Sequence, residues 1–408
     1  MNRHLKGEVN LPGSKSESNR ALMIAAYGGF ASTVANLSQA HDTTLLRQRL
    51  AEVTHGQGVR GVVDCEDAGT VARFMMTWLA CHPGSWLLTG SQRLCQRPMK
   101  PLVDALAQLG AELHYEGEEG CLPMRIRGVD LSGGTVEVDA AQSSQFVSSL
   151  LLAAPMWEKG LVLRLRDKSA SMPYIDMTLA LMQHFGAEAH RDGDTMTVAP
   201  QPYRPTAFSV SPDWTAASYW YELAALSDSC DILLKGLGKD SLQGDAILSS
   251  WYQAFGVETS FGPEGVRLRR TPAGTGAVRE PLSFDFTDHP DLFPAVMVTC
   301  VALGVPAHFQ GTENLAIKES NRVVSIITEL EKLFKFTYII NTNYINIYSS
   351  YSINIGINKI VFNTYNDHRI AMALAGLLMK SDNIAFDQPE VVAKSYPTFW
   401  DDLQMLEK

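Results

Sequence analysis

Four stretches of the chain repeat one hydrophobic pattern. Residues 102–115 read LVDALAQLGAELHY, residues 181–190 read LMQHFGAEAH and residues 251–260 read WYQAFGVETS. Apolar positions three and four apart predict an amphipathic helix, and the alternation that follows predicts a strand. Gly110, Gly186 and Gly256 fall just past the helix ends, where a left-handed backbone is wanted. The fourth copy, ITELEKLFKFTY at residues 327–338, has Phe334 at the glycine position. A helix-and-strand module used several times predicts an α/β (α+β) architecture. Residues 293–305 are apolar, include Pro294 and are too few to span a bilayer, so they predict a buried helix.

Residues 338–363 break the style of the rest: YIINTNYINIYSSYSINIGINKIVFN, with Lys359 as the only charge. Alternating Ile and Asn predict a β-hairpin, prone to pairing between molecules if exposed. A local shift of reading frame is the alternative origin of this composition, and an intact mass separates the two.

A length of 408 residues suits two domains, each with a large core. The formal net charge of -10 argues against nucleic acid or an anionic membrane surface as a partner. The opening MNRHLKGEVN has no apolar run of a secretory signal. Cys65, Cys81, Cys95, Cys121, Cys230 and Cys300 form no C-x-x-C pair and none stands at metal-ligand spacing from a histidine. Scattered thiols of this kind suggest packing roles in a reducing cytoplasm, with no metal.

Against that acidic background, cations gather in short motifs. Residues 12–20 read PGSKSESNR, 67–73 DAGTVAR, 96–98 QRP, 318–322 KESNR, 365–369 YNDHR and 393–397 AKSYP. In the first, Ser14 or Ser16 can cap a helix whose free N–H groups and Lys15 make an anion cradle, with Arg20 one turn further on. Gly69 permits close approach of a ligand oxygen to the backbone, with Arg73 a turn away. Ser143, Ser144 and Gln145 offer hydroxyls and an amide ahead of an apolar helix: a phosphate edge, or simply a cap. Asp288, Asp291 and Glu319 are carboxylates in cationic company, where neighbours set the pKa that proton transfer needs. Residues 56–61, GQGVRG, satisfy G-x-G-x-x-G, but a helix-like stretch precedes them and a strand-like one follows, the reverse of a dinucleotide site. GSKS at residues 13–16 lacks the upstream glycine and the Gly-Lys pair of an ATP phosphate loop.

Taken in order, these motifs resemble the enolpyruvyl transferases over about residues 8–406. The anchors are LPGSKSESNR, SSQF at 143–146, SMPYID at 171–176, QGD at 243–245, KESNR and YNDHRIAM. The resemblance implies a two-domain inside-out α/β barrel, each domain built of three βαβαββ repeats, with the active site in the cleft between them. It places an N-terminal lobe at residues 14–212 and a C-terminal lobe at residues 1–13 and 213–408. The implied reaction passes the enolpyruvyl group of phosphoenolpyruvate to the 5-hydroxyl of shikimate 3-phosphate, with no cofactor. The partners implied are those two small anions, acting on a cytoplasmic monomer.

By resemblance, shikimate 3-phosphate contacts Lys15, Ser16, Arg20, Ser143, Ser144, Gln145, Ser171, Asp291, Asn314 and Lys318. Phosphoenolpyruvate contacts Lys15, Gly69, Arg97, Gln145, Arg322, Arg369 and Lys394. Asp291, Glu319 and Lys15 carry the chemistry. Two repelling anions held side by side explain why so many cations converge, since one ion pair at about 4 Å is worth roughly 4 kcal/mol at an effective dielectric near 20. Asp67, Glu17 and Phe74 depart from the family pattern, which has asparagine, an apolar residue and proline there. Two other readings compete. A sister enzyme uses UDP-N-acetylglucosamine as acceptor, but its loop cysteine falls at Gln92 here. A catalytically silent anion-binding homologue is the other, and the presence of both Asp291 and Glu319 speaks against it.

Overall fold

The computed structural model describes residues 4–30, 34–55, 60–166, 171–270, 280–352 and 359–406. Residues 56–59 of the GQGVRG stretch and 353–358 of the Ile/Asn stretch lie outside the described residues. The chain divides into two compact units, residues 14–210 and residues 1–13 with 211–408.

Strand β1 (His4–Val9) opens the chain and belongs to the second of these units. The unit of residues 14–210 then runs α1 (Lys15–Tyr27), β2 (Val34–Ala35), α2 (His41–His55), β3 (Arg60–Asp64), α3 (Gly69–Cys81), β4 (Gly84–Thr89), α4 (Lys100–Gln108), β5 (Glu112–Tyr115), β6 (Met124–Gly128), β7 (Gly134–Val138), α5 (Ser144–Ala153), β8 (Leu161–Leu165), α6 (Met172–His184), β9 (Ala189–Asp192), β10 (Thr195–Val198) and β11 (Phe208–Ser209). The other unit continues with α7 (Trp214–Leu226), β12 (Ser229–Lys235), α8 (Leu248–Trp251), β13 (Glu258–Gly262), β14 (Gly265–Arg270), β15 (Leu282–Asp285), α9 (Phe293–Leu303), β16 (Ala307–Gln310), α10 (Arg322–Leu330), β17 (Phe334–Ile340), β18 (Tyr344–Ser352), β19 (Ile360–Phe362), α11 (His368–Ala375), β20 (Ile384–Phe386) and α12 (Phe399–Leu406).

One topology recurs. The four-stranded sheets run β3-β4-β6-β5 and β7-β8-β10-β9 in one unit, β1-β12-β14-β13 and β15-β16-β18-β17 in the other. In each, the first two strands pair in parallel and the last two form an antiparallel hairpin against the second. That is the βαβαββ order, and it accounts for the repeated helix-glycine-strand pattern. Among the described residues the third sheet of each unit is reduced to one parallel pair, β2 with β11 and β19 with β20.

Gly110, Gly186 and Gly256 take φ of 94°, 86° and 78°, the left-handed conformation their places demand. Ahead of Gly256 the expected amphipathic helix is a single α turn, α8, followed by a tighter 3₁₀ turn over Tyr252–Phe255. In the fourth copy α10 stops at Leu330 and Phe334 opens β17, buried in the core, so no left-handed glycine is needed there. Helix α9 is buried from Phe293 to Val301. Pro294 lies in its first turn, where a missing N–H breaks no helix bond. No described helix is long and apolar enough to cross a membrane.

The expected hairpin over residues 338–363 needs correction. It begins at Phe334, because Phe336 and Tyr338 continue the inward-facing alternation and pack on the core. It ends by Ser352, and Ile360–Phe362 leaves it to pair in parallel with Ile384–Phe386.

One buried group stands apart from the repeats. Glu222 on α7 is fully buried, neither carboxylate oxygen has a hydrogen-bond partner, and burial pushes its pKa well up. Gly376 gives it room, since a Cβ there would collide with the carboxyl group. A raised folded-state pKa means the native state holds the proton longer than the unfolded chain. Stability is therefore lost as pH rises above the unfolded value near about 4.3, by up to about 1.4 kcal/mol per pH unit. Glu222→Met is expected to raise the melting temperature at pH 8 more than at pH 5. An equal shift at both pH values, or a fall at pH 8, refutes the protonated-acid reading.

Candidate active site

In the unit of residues 14–210 the polar side chains collect at helix starts. Ser14 caps α1, its Oγ accepting the Glu17 N–H at 3.4 Å. Lys15, the first residue of α1, places Nζ 2.9 Å from Asp42 Oδ2. Arg20 follows one turn later and is buried. Its Nε donates to Thr178 Oγ1 (2.7 Å), Nη1 to the Ser16 carbonyl (3.0 Å), and Nη2 to Ser148 Oγ (3.1 Å) and the Tyr174 carbonyl (3.2 Å). The rings of Phe74 and Tyr174 each lie 5.8 Å from its guanidinium carbon. Burial lowers its pKa to about 10 against the opposing pull of Tyr174 and Glu17. Arg20 thus braces α1 against α5 and α6.

The start of α3 meets the start of α5. Arg73 Nη1 donates to the Gly69 carbonyl (3.1 Å) and to Gln145 Oε1 (3.0 Å), and Nη2 to the Pro98 carbonyl (3.1 Å). Gln145 Nε2 donates to Thr70 Oγ1 at 3.0 Å. A Cβ on Gly69 would lie 2.5 Å from Arg97 Nη1 and 2.7 Å from Arg73 Nη1, so this position holds two guanidinium groups close only as glycine. Arg97 is buried rather than on the surface. Ser143 caps α5 through the Gln145 N–H (3.2 Å), Ser144 is buried as its first residue, and Ser171 takes φ 65° just before α6. Asp67 accepts a bond from Ser91. First-turn N–H groups and positive helix ends add to the arginine and lysine charge here.

In the unit of residues 211–408 one buried arginine gathers the carboxylates. Arg322, 1 % exposed, donates from Nη1 to Asp291 Oδ1 (2.7 Å), from Nη2 to Glu319 Oε2 (2.8 Å) and from Nε to Asp367 Oδ2 (3.0 Å). Arg369 Nη2 holds the other Asp291 oxygen at 2.7 Å. Ser320 Oγ donates to Asp367 Oδ2 (3.0 Å), and Asp367 caps α11 by accepting the Arg369 N–H (3.0 Å). Burial alone would raise the Asp291 pKa, but Arg369, Arg322 and Lys318 outweigh it and hold the carboxyl far below the usual range. Burial would likewise weaken Arg322's hold on its proton, yet Asp367, Glu319 and Asp291 more than restore it. Asn314 lies in the 3₁₀ turn Glu313–Ile317 that leads to Lys318, and Lys394 Nζ donates to the Asn366 carbonyl at 2.8 Å.

Comparison with known proteins converges on one family. The EPSP synthase (3-phosphoshikimate 1-carboxyvinyltransferase) family profile matches residues 1–403. The chain belongs to the EPSP synthase family. It is 41% identical over 402 residues to the 3-phosphoshikimate 1-carboxyvinyltransferase of Bacteroides fragilis, covering 98% of this chain and 95% of that one. It is 30% identical to the enzyme of the same name from Vibrio cholerae, over 99% and 97% of the two chains. Among solved structures, EPSP synthase from Acinetobacter baumannii superposes with a TM-score of 0.74 at 22% identity, over 100% and 96% of the chains. The enolpyruvyl transferase NikO from Streptomyces tendae gives 0.68 at 15%, over 99% and 95%. The fold is therefore the enolpyruvyl transferase fold, and the names of the Bacteroides fragilis and Vibrio cholerae relatives specify the shikimate acceptor. The UDP-N-acetylglucosamine reading finds no support.

Within this EPSP synthase framework, several residues near the anion-handling motifs were not legible as such. Asp42 holds Lys15, Asp367 both caps α11 and anchors Arg322, and Tyr219 on α7 lies beside the Arg369 guanidinium, which offsets part of the burial that raises the phenol pKa. Asp367 carried one available signal, its place directly before an apolar helix. Among the described residues no group of three or more His, Cys, Asp or Glu side chains is arranged to hold a metal ion.

Proposed function

We propose that this chain joins phosphoenolpyruvate to the 5-hydroxyl of shikimate 3-phosphate and releases inorganic phosphate, on the route to chorismate and the aromatic amino acids. The observation that carries the reading is Arg322 holding Asp291 and Glu319 together, with Arg369 on the second Asp291 oxygen. Two carboxylates fixed on one cation supply a proton acceptor and a proton donor within reach of one reacting centre.

The addition forms a bond from the 5-oxygen to C2 of phosphoenolpyruvate. Asp291 takes the hydroxyl proton and Glu319 delivers a proton to the methylene carbon, which becomes a methyl group. The tetrahedral intermediate carries the phosphate and the shikimate oxygen on one carbon. Elimination breaks the carbon–oxygen bond to phosphate, which takes the proton held by Asp291; a methyl proton returns to Glu319, and the double bond reforms. Lys15 and Arg97 stabilise the departing phosphate. Arg322, Arg369, Lys394, Gly69 and Gln145 hold phosphoenolpyruvate. Ser16, Ser143, Ser144, Gln145, Ser171, Asn314 and Lys318 hold shikimate 3-phosphate, and Arg20 serves it chiefly by fixing Ser16 and the helices around it.

The state of Asp291 fits this assignment. Bound by two guanidinium groups it is a weak base. An anionic substrate that draws on Arg369 and Lys318 relieves that pull, so the carboxylate gains basicity when substrate arrives. Six cysteines without a disulfide fit a cytoplasmic setting.

Phosphate release is the test. It is expected with both substrates together, and neither with one alone nor with UDP-N-acetylglucosamine replacing shikimate 3-phosphate. Silence with the proper pair, or release with the nucleotide sugar, overturns the proposal.

A further inference from the structure

We propose that Glu329 and Tyr365 form a clamp that positions Arg369 and Lys394, and that it does so by holding a strained turn in register with α10. The inference rests on the phosphoenolpyruvate role given to those two cations above.

The chain reaches Arg369 through a turn in which Tyr365 (φ 55°) and Asn366 (φ 52°) are both left-handed. Asparagine tolerates that region through local hydrogen bonds; a bulky tyrosine does not, and two in succession need outside support. Glu329, fully buried on α10, supplies it. Its Oε2 accepts the Asn363 N–H (2.9 Å) and Lys332 Nζ (2.6 Å). Its Oε1 accepts Asn363 Nδ2 (3.2 Å) and the Tyr365 hydroxyl (2.8 Å). Burial, and then the bond to Glu329, raise the Tyr365 phenol to about 12, so it remains a donor throughout the working range. From the other side Asp387 Oδ1 accepts the Thr364 N–H (2.9 Å), and Lys394 Nζ reaches the Asn366 carbonyl (2.8 Å).

Arg322 and Glu329 stand seven residues apart on α10, two turns, and so on one face. They grip successive points of the same turn: Glu329 takes Asn363 and Tyr365, while Arg322 takes Asp367. Since Asp367 caps α11 through the Arg369 N–H, a turn that relaxed out of the left-handed region would carry Arg369 with it. The clamp also spans the hairpin β17–β18. Its grip falls on Asn363, the last residue of the Ile/Asn stretch, and so ties the end of that stretch to α10.

The test uses the full chain with Tyr365→Phe, Glu329→Gln and the pair combined. The expected result is a rise of about tenfold in the KM for phosphoenolpyruvate, with the KM for shikimate 3-phosphate unchanged and the melting temperature of Tyr365→Phe close to wild type. The double variant is expected to fall short of the sum of the two single effects, because the two changes act on one shared contact. Hydrogen–deuterium exchange over residues 363–369 reads the clamp without turnover and is expected to quicken in each variant. Unchanged exchange there overturns the clamp, whatever the activity. An unchanged phosphoenolpyruvate KM beside an active wild type overturns its positioning role, as does a loss of active fraction with both KM values intact. A wild type that releases no phosphate sinks the reaction itself, not the clamp.

Discussion

Asp291→Asn is expected to lower kcat by about 10²–10⁴-fold, the contribution of a positioned general base. The amide keeps the shape of the carboxylate but not its basicity. It also turns one NH₂ toward a guanidinium that the carboxylate now binds, since Arg322 and Arg369 each hold one Asp291 oxygen. The released arginine remains available to phosphoenolpyruvate, so the KM for that substrate is expected to hold or fall, not rise. Loss in kcat without loss in KM marks an interaction made in the transition state. Glu319→Gln is expected to cost a similar factor through a different step. With Asp291 still in place, solvent deuterium no longer enters the methylene carbon. Steady-state rates together with mass analysis of the product check both. Near-normal turnover in either variant removes that residue from the chemistry.

The sequence and the structure agree most where physics is local. The helix-glycine-strand pattern needs only spacing and one left-handed residue, and Gly110, Gly186 and Gly256 supply it at φ of 94°, 86° and 78°. Capping by Ser14 and Ser143 is likewise a matter of a few residues. Disagreement begins where partners are distant. Arg20 reads as a candidate ligand because it lies one turn from Lys15, but its guanidinium is engaged by Thr178, 158 residues away, and by Ser148, 128 residues away. Nothing in the spacing of PGSKSESNR announces those partners. The Ile/Asn stretch shows a subtler failure. Its alternation correctly suggested paired strands, yet alternation does not name the partner, and Ile360–Phe362 chose Ile384–Phe386 instead of its neighbour in sequence. Glu329 was invisible for a related reason. Within its own helix it looks like a surface acid, and only the fold brings Asn363 and Tyr365 onto it.

Arg322→Met is expected to destabilise the protein by about 3–5 kcal/mol, the cost of leaving buried charges without their partner. The methionine fills much of the arginine stem's volume, so cavity effects stay small and the loss reports charge. What remains is Asp291, Glu319 and Asp367 around a vacated position, with Arg369 still on Asp291. The pH dependence then separates this account from ordinary loss of packing. In the wild type the Asp291 pKa is depressed, so its contribution to stability is present above the unfolded value near about 3.9 and is lost as pH falls toward the folded one. In the variant Asp291 loses one of the two guanidinium groups that hold its pKa down, while Glu319 and Asp367 remain nearby, so its carboxyl takes up a proton more readily than in the wild type. Between pH 7.5 and pH 5.5 the wild type keeps this contribution, since both values lie above about 3.9, while protonation relieves the repulsion among the carboxylates in the variant, so the gap between them narrows. Urea unfolding of both proteins at pH 7.5 and pH 5.5 is expected to show a smaller difference at the lower pH. A gap that stays constant between the two conditions, or one under about 1 kcal/mol at pH 7.5, means that Arg322 is not the cation on which those carboxylates depend. Arg322→Lys tests the geometry apart from the charge: one ammonium cannot serve three carboxylates from a planar fork, so it is expected to recover only part of the loss.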